Sequence, residues 1–188
     1  MLKKFSNFCY KTIFLLICVP DVVIPAADEA KCYELHFANI SCFAMIRDYV
    51  DCLVTIQDKI YINGDVTLYK DFDNVYLKIE VGTVRNKLHK SVFIKTFAYC
   101  NFHPKNNAMM KMVVVSLRNT TNFDFNCPVK KGKYFLRNLK IFSPEFPYKL
   151  FYKAKIAYYV CIRTYFKHQG KLIQLTETNT SFAIERSC

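Results

Sequence analysis

The 188-residue sequence lacks tryptophan and has only four glycines and six prolines. This scarcity excludes collagen-like, low-complexity and disordered chains, which are rich in one or both of these residues. The glycines stand far apart, at Gly64, Gly82, Gly132 and Gly170. Neither a phosphate-binding loop nor a dinucleotide-binding fingerprint can be built from them.

Common enzyme motifs are missing as well. No Gly-x-Ser-x-Gly nucleophile motif occurs, and the four histidines form no His-Glu-x-x-His pair. Cys100 and His103 have the spacing of half a zinc site, but no second pair of ligands accompanies them. Cys100 is better explained as half of a disulfide. We therefore expect a protein that is not an enzyme and that holds no metal and no cofactor.

Long apolar runs are absent too. The most apolar N-terminal stretch, residues 12–19, follows three lysines and is far shorter than the ~20 residues of a membrane-spanning helix. Pro20 and Asp21 interrupt it, and small residues end at Ala27. This pattern predicts a signal peptide at residues 1–27 and a secreted domain at residues 28–188, with a retained membrane anchor as the alternative.

Cysteine is abundant, with seven residues after position 27, and in an oxidising compartment most of them should pair. They are Cys32, Cys42, Cys52, Cys100, Cys127, Cys161 and Cys188. Because the number is odd, one thiol stays free and buried or pairs with a partner. Three Asn-x-Ser/Thr triplets, at Asn39, Asn119 and Asn179, predict a glycoprotein.

Acidic residues are outnumbered, with 15 against 27 Lys and Arg, which gives a formal net charge of +12. Loose basic clusters occur at Lys87, His89, Lys90 and Lys95, and at Lys130, Lys131, Lys133, Arg137 and Lys140. Secretion makes nucleic acid an improbable partner, so a membrane surface, a receptor or an acidic glycan fits this charge better. The alternative is a solvated face that only keeps the protein soluble.

The dominant pattern is alternation of apolar and polar residues, which is typical of half-buried strands. It extends from Leu150 to Phe166, a length that predicts a bend or turn within the segment. Asn63-Gly64 predicts a turn between two further strands. About eight such segments indicate a β-sandwich or barrel. Residues 104–117 instead have the apolar spacing of a helix, although three successive valines favour a strand there.

A family resemblance rests on a run of the form Cys-Pro-x-Lys-x-Gly-x-Tyr-x-Leu, which begins at Cys127. The segments 63–68, 71–77, 97–102 and 147–150 agree with it in order and spacing. The chain resembles the ganglioside-activator branch of the ML, or lipid-recognition, proteins. It is even more similar to a group of secreted insect proteins of uncharacterised function, some of them linked to chemosensation. The resemblance covers residues 32–186.

This resemblance implies an all-β, immunoglobulin-like antiparallel sandwich with one short helix, whose sheets part around a lipid or other small hydrophobic ligand. It also implies a Cys100–Cys127 disulfide. Cys32, Cys52 and Cys188 are further disulfide candidates, and we expect Cys188 to tie the C-terminus to the N-terminal region. A Pro at position 147, where the family often has Gly, and the lone Cys161 depart from the pattern.

The expected function is non-catalytic binding of a lipid or small hydrophobic ligand, in lipid transport or chemosensation. The alternative is an extracellular module that binds a receptor or acidic glycan through its basic surface. The 17 phenylalanines and 13 tyrosines are consistent with an apolar cavity and equally with an ordinary core. The expected cavity residues are Val75, Leu77, Ile79, Phe97, Met109, Met112, Leu139, Tyr152, Ile156 and Tyr158.

Overall fold

The computed structural model describes residues 32–101, 115–140 and 151–188, which form eight strands in two antiparallel sheets. The strands are β1 Tyr33–Ala44, β2 Val50–Gln57, β3 Tyr61–Leu68, β4 Val75–Arg85, β5 Leu88–Ala98, β6 Gly132–Leu139, β7 Ala157–His168 and β8 Lys171–Arg186. The larger sheet has the order β1-β8-β7-β4-β5, and the smaller has the order β2-β3-β6. This arrangement confirms the predicted all-β sandwich.

Helical structure is confined to short pieces in the described residues. A 3-10 turn, Tyr99–Asn101, follows β5, and residues 115–118 form one helical turn. The predicted helix at residues 104–117 lies mostly outside the described residues, as do Met109 and Met112. Residues 1–27, predicted as a signal peptide, also lie outside them.

The interior is divided between two groups of buried side chains. One group, at one end of the sandwich, consists of Leu35, Phe37, Ile62, Leu139 and Ile184. The other consists of Val50, Phe72, Val75, Val129, Phe166 and Leu175. Each group draws on both sheets, because alternate residues of every strand point between the sheets.

Three disulfides stabilise the sandwich. Cys32–Cys188 joins the start of β1 to the end of β8, and Cys42–Cys52 joins β1 of the larger sheet to β2 of the smaller. Cys100–Cys127, the pair implied by the family resemblance, links the 3-10 turn to the loop before β6. The sequence left the pairing of Cys42 open, and the structure pairs it with Cys52. The seventh cysteine, Cys161, is buried as a free thiol in β7.

The turn expected at Asn63-Gly64 is wrong. β3 runs through both residues, and the chain reverses instead after Gln57, where Asp58 and Lys59 have positive φ angles of 52° and 59°. Gly64 serves close packing: a Cβ there would lie 3.3 Å from Val54 Cγ1. A side chain at this position would crowd the neighbouring strand, which explains glycine in the middle of a strand.

The long alternating segment at residues 150–166 is a strand only in its second part. β7 begins at Ala157, and a turn at Lys153 precedes it, where the Ile156 amide donates to the Lys153 carbonyl at 3.2 Å. Lys155 has a φ of 63°, which an extended strand does not permit. The expected break within this segment is therefore present, between Phe151 and Ala157.

No helix among the described residues is long and apolar enough to cross a membrane.

Candidate functional site

A cavity of about 360 Å³ separates the two sheets at the end occupied by the second buried group. Its floor comes from the larger sheet and includes Val75 and Leu77 of β4 together with three threonines, Thr164, Thr176 and Thr178. Its roof comes from the smaller sheet and the loop before β6: Val50, Cys52, Val54, Gly64, Val66, Leu68, Phe123, Phe125, Val129, Tyr134 and Leu136. The Cys42–Cys52 disulfide forms part of the wall and connects floor to roof.

The cavity lies beside the other buried group rather than within it. None of Leu35, Phe37, Ile62, Leu139 and Ile184 contributes to the wall. One end of the sandwich is therefore filled by side chains, while the sheets part at the other end.

The wall carries no strongly charged side chain. Among the described residues that line the cavity there is no Asp, Glu, Lys, Arg or His. Its polar groups are neutral hydroxyls, and several already have partners. Thr121 Oγ1 donates to the Phe135 carbonyl at 2.5 Å, and Tyr134 Oη donates to the Lys130 carbonyl at 2.7 Å. Such a surface favours apolar or uncharged molecules.

Tyr99 is the wall residue whose polar group is unsatisfied. Its ring packs edge to face on Phe123, with ring centroids 6.1 Å apart. Its hydroxyl is buried and has no hydrogen-bond partner in the part of the chain that the structure describes. Burial raises the pKa of Tyr99 to about 12, and the negative charge of Asp124 adds to the shift. The hydroxyl is therefore a neutral group at physiological pH.

A lysine contacts a cluster of three aromatic rings, one of which lines the cavity. Lys70 Nζ lies 3.0 Å from the ring centroid of Tyr49 and 4.9 Å from that of Phe166. Phe72, which lines the cavity, packs against both rings and lies 5.6 Å from the same ammonium. These cation–π contacts hold the ring cluster together from outside the cavity.

Two of the ten expected cavity residues, Val75 and Leu77, line the cavity. Leu139 belongs to the filled end, and Tyr152 and Tyr158 pack against that end, where Tyr158 stacks on Phe182 and donates a hydrogen bond to the Phe151 carbonyl. Ile79, Phe97 and Ile156 are not part of the wall either. Met109 and Met112 lie outside the described residues.

Sequence reasoning missed most of the roof. Val54, Val66 and Leu136 come from strands whose inward positions alternate as the sequence pattern predicts. Alternation shows which side chains point between the sheets. It does not show where along a strand the sheets part, which is why the expected residues lie at both ends of the sandwich.

The outer face of the larger sheet carries a polar network. Arg163 Nε donates to Glu177 Oε2 at 2.7 Å, and Arg163 Nη1 lies 3.4 Å from Glu80 Oε2. Asn179 Nδ2 donates to Glu177 Oε1 at 2.9 Å, and this hydrogen bond together with Arg163 lowers the pKa of Glu177. Burial raises the pKa of the Cys161 thiol, which lies beside this network. A buried neutral thiol is a poor nucleophile.

The three predicted glycosylation sites differ in their surroundings. Asn39 in β1 and Asn119 after the helical turn are exposed. Asn179 is half-buried within the network of Glu177. Glycosylation itself stays a prediction, and these positions favour Asn39 and Asn119 over Asn179.

Within the described ranges no group of three or more His, Cys, Asp or Glu side chains could hold a metal ion.

Comparison with known proteins gives a family match and a structural likeness. The crystal structure of chicken MD-1 complexed with lipid IVa is similar at 11% identity and a TM-score of 0.34, over 83% of this chain and 99% of that chain. No curated protein matches the sequence. Residues 75–154 match the family described as "Protein of unknown function (DUF1091)". This match agrees with the predicted resemblance to a group of proteins of uncharacterised function, over residues 75–154 of the chain.

Proposed function

We propose that this protein is a secreted, non-catalytic binding protein that holds a single lipid chain or one small hydrophobic molecule between its two sheets. The observation that carries the proposal is the cavity of about 360 Å³, with its apolar wall. Ligand pockets usually measure ~300–1,000 Å³. A cavity at the lower end of that range fits one chain and is too small for a lipid with several acyl chains.

The chemistry of the wall limits the ligand further. Burying an ionised group costs several kcal/mol unless an opposite charge or several hydrogen bonds compensate for it. The described wall offers only hydroxyls, so the buried part of the ligand is uncharged. Any carboxylate or phosphate stays outside the cavity. Affinity then comes from apolar burial, at roughly 25 cal/mol per Å², and should survive moderate salt.

Secretion is supported by the three disulfides, because such bonds persist mainly in oxidising compartments. Transport of a lipid and recognition of a hydrophobic chemical cue both fit a carrier of this kind. In either role the protein protects an apolar molecule from water without altering it.

The rival function, a module that binds receptors or glycans through the basic residues beside Cys127, is weakened by their contacts. Lys130 Nζ lies 3.1 Å from Asp71 Oδ2, and the Lys131 amide donates to Asp71 Oδ1 at 2.7 Å. These two bonds lower the pKa of Asp71, so the carboxylate stays charged and offsets part of the cluster. The cavity is therefore the stronger basis for a function.

Native mass spectrometry of protein secreted from eukaryotic cells, followed by organic extraction, tests the proposal. We expect a co-purifying small hydrophobic molecule, or saturable uptake of the uncharged fluorescent probe N-phenyl-1-naphthylamine by the extracted protein. Uptake should be the same at low and high salt. Empty protein that takes up no probe, and that instead binds heparin in a salt-sensitive way, would favour the rival function.

A further inference from the structure

The hairpin formed by β4 and β5 presents apolar side chains to solvent. Every residue from Leu88 to Thr96 is exposed. Leu88, Val92 and Ile94 have 75%, 60% and 55% of their surface exposed, and Phe93 has 37%. The same hairpin carries four cations, Arg85, Lys87, Lys90 and Lys95. We call the four apolar residues and these four cations the hairpin surface.

The exposure follows from the position of β5. Within residues 32–101, 115–140 and 151–188 it is the edge strand of the five-stranded sheet and pairs with β4 alone. The turn at Asn86 and Lys87, with φ angles of 52° and 66°, closes a two-residue hairpin. Among the described residues β5 has one unpaired edge, and its exposed side chains are accessible to a partner.

The charge of residues 81–98 has one sign, and Glu80, the cross-strand partner of Ile94, is already bound to Arg163 and Tyr159. Residues 81–98 contain Arg85, Lys87, Lys90 and Lys95 and no Asp or Glu. None of the four cations has an ion pair to an acidic side chain within the described residues. Phe93 and Ile94 point to opposite faces of the strand, so apolar side chains project from both faces of this exposed edge, with unneutralised cations beside them. An edge of this kind matches the boundary of an anionic bilayer, where acyl chains lie beneath negative headgroups.

From this combination we propose that the hairpin surface docks the protein on membranes that contain anionic lipid. The inference does not depend on whether the cavity holds a ligand. A second copy of the chain is the other conceivable occupant of a free β edge. Pairing of two β5 strands would bring their lysines together, and lysines on an edge strand oppose such pairing.

The absence of tryptophan allows a direct test. Leu88→Trp places one indole on the hairpin surface. Leu172→Trp is a matched control, because Leu172 is 53% exposed beside Lys171 and next to the β7–β8 turn, at the opposite end of the same sheet. Each variant is mixed with vesicles of phosphatidylcholine alone and of phosphatidylcholine with phosphatidylserine. A third variant adds Lys87→Glu and Lys90→Glu to Leu88→Trp.

We expect the emission of Leu88→Trp to shift to shorter wavelength only with the anionic vesicles, and Leu172→Trp to show no shift. The two charge reversals should weaken vesicle binding by about tenfold or more, and high salt should weaken it in the parent variant. Equal shifts at both positions, or no shift at Leu88→Trp, would overturn the proposal. A concentration-dependent shift without vesicles would indicate self-association and overturn it as well.

Discussion

At the scale of single residues, Tyr99 is the least satisfied group of the cavity wall. Its hydroxyl is buried without a hydrogen-bond partner, whereas the hydroxyl of Tyr134, on the same wall, donates to the Lys130 carbonyl. An unpaired buried hydroxyl costs ~1–3 kcal/mol, and a satisfied one contributes ~0.5–1.5 kcal/mol. The two tyrosines should therefore respond to the same substitution with opposite signs.

Tyr99→Phe should raise the free energy of unfolding of ligand-free protein by about 1 kcal/mol, since it removes the unpaired group. Tyr134→Phe, the matched control, should lower it by a similar or smaller amount. Chemical denaturation near neutral pH measures both values. A loss of stability in Tyr99→Phe would mean that its hydroxyl has a partner after all.

Tyr99 also makes the free energy of unfolding depend on pH in the alkaline range. The folded-state pKa of Tyr99, about 12, lies above the ordinary value of 10.0. Between pH 10 and pH 12 the unfolded chain releases the Tyr99 proton while the folded protein retains it, so the free energy of unfolding is unaffected below pH 10 and falls as the pH rises towards 12. The loss of stability across this interval should be smaller in Tyr99→Phe than in the parent protein.

At the scale of elements, the contact between β4 and β7 depends on one glycine. A Cβ at Gly82 would lie 2.3 Å from Tyr159 Cε1 and 2.5 Å from the Lys90 carbonyl oxygen. The bare backbone lets the Tyr159 ring lie across β4, where its hydroxyl donates to Glu80 Oε1 at 2.9 Å. The absence of a side chain at Gly82 therefore allows close packing of β4 with residues of both β5 and β7.

Gly82→Ala should lower the free energy of unfolding by about 1–3 kcal/mol, the usual cost of forcing atoms into a packed site. In a Tyr159→Ala background the cost should shrink, because the nearer obstacle is gone. Thermal or chemical denaturation of the four proteins gives the coupling energy. A cost that is the same in both backgrounds would show that the ring is not the obstacle.

Sequence alternation predicted the strands well, but one of the expected turns was misplaced. The inward residues of β4 and β7 follow the period of two, since one side of each strand faces the core. Asn63-Gly64 has the composition of a turn, yet Gly64 is needed inside β3 for its approach to Val54. The actual turn is formed by Asp58 and Lys59, which both have positive φ angles. Because lysine seldom adopts a positive φ angle, the sequence does not indicate a turn there.

At the scale of the whole molecule, the sandwich and the number of strands could be predicted from the alternation of apolar and polar residues. The Cys100–Cys127 pair followed from the family resemblance, because seven cysteines alone leave many pairings open. The extent of the cavity could not be predicted, since it depends on where the two sheets part. The filled end, around Phe37 and Leu139, and the open end cannot be told apart by alternation alone.

The central claim is that the space between the sheets holds an apolar ligand, and adjacent residues of β2 test it. Val54 lines the cavity, while Leu53 is 64% exposed on the opposite face of the strand. Val54→Trp places an indole in the cavity, and Leu53→Trp places the same group in solvent. Thermal unfolding verifies that both variants are folded.

The most direct measurement is the affinity of N-phenyl-1-naphthylamine for this pair and for the parent protein. The account predicts that Val54→Trp loses at least about tenfold in affinity, because small changes in pocket volume are worth ~10–200-fold. Leu53→Trp should bind as the parent does. Unchanged affinity in a folded Val54→Trp variant, or an equal loss in both variants, would contradict a ligand site between the sheets.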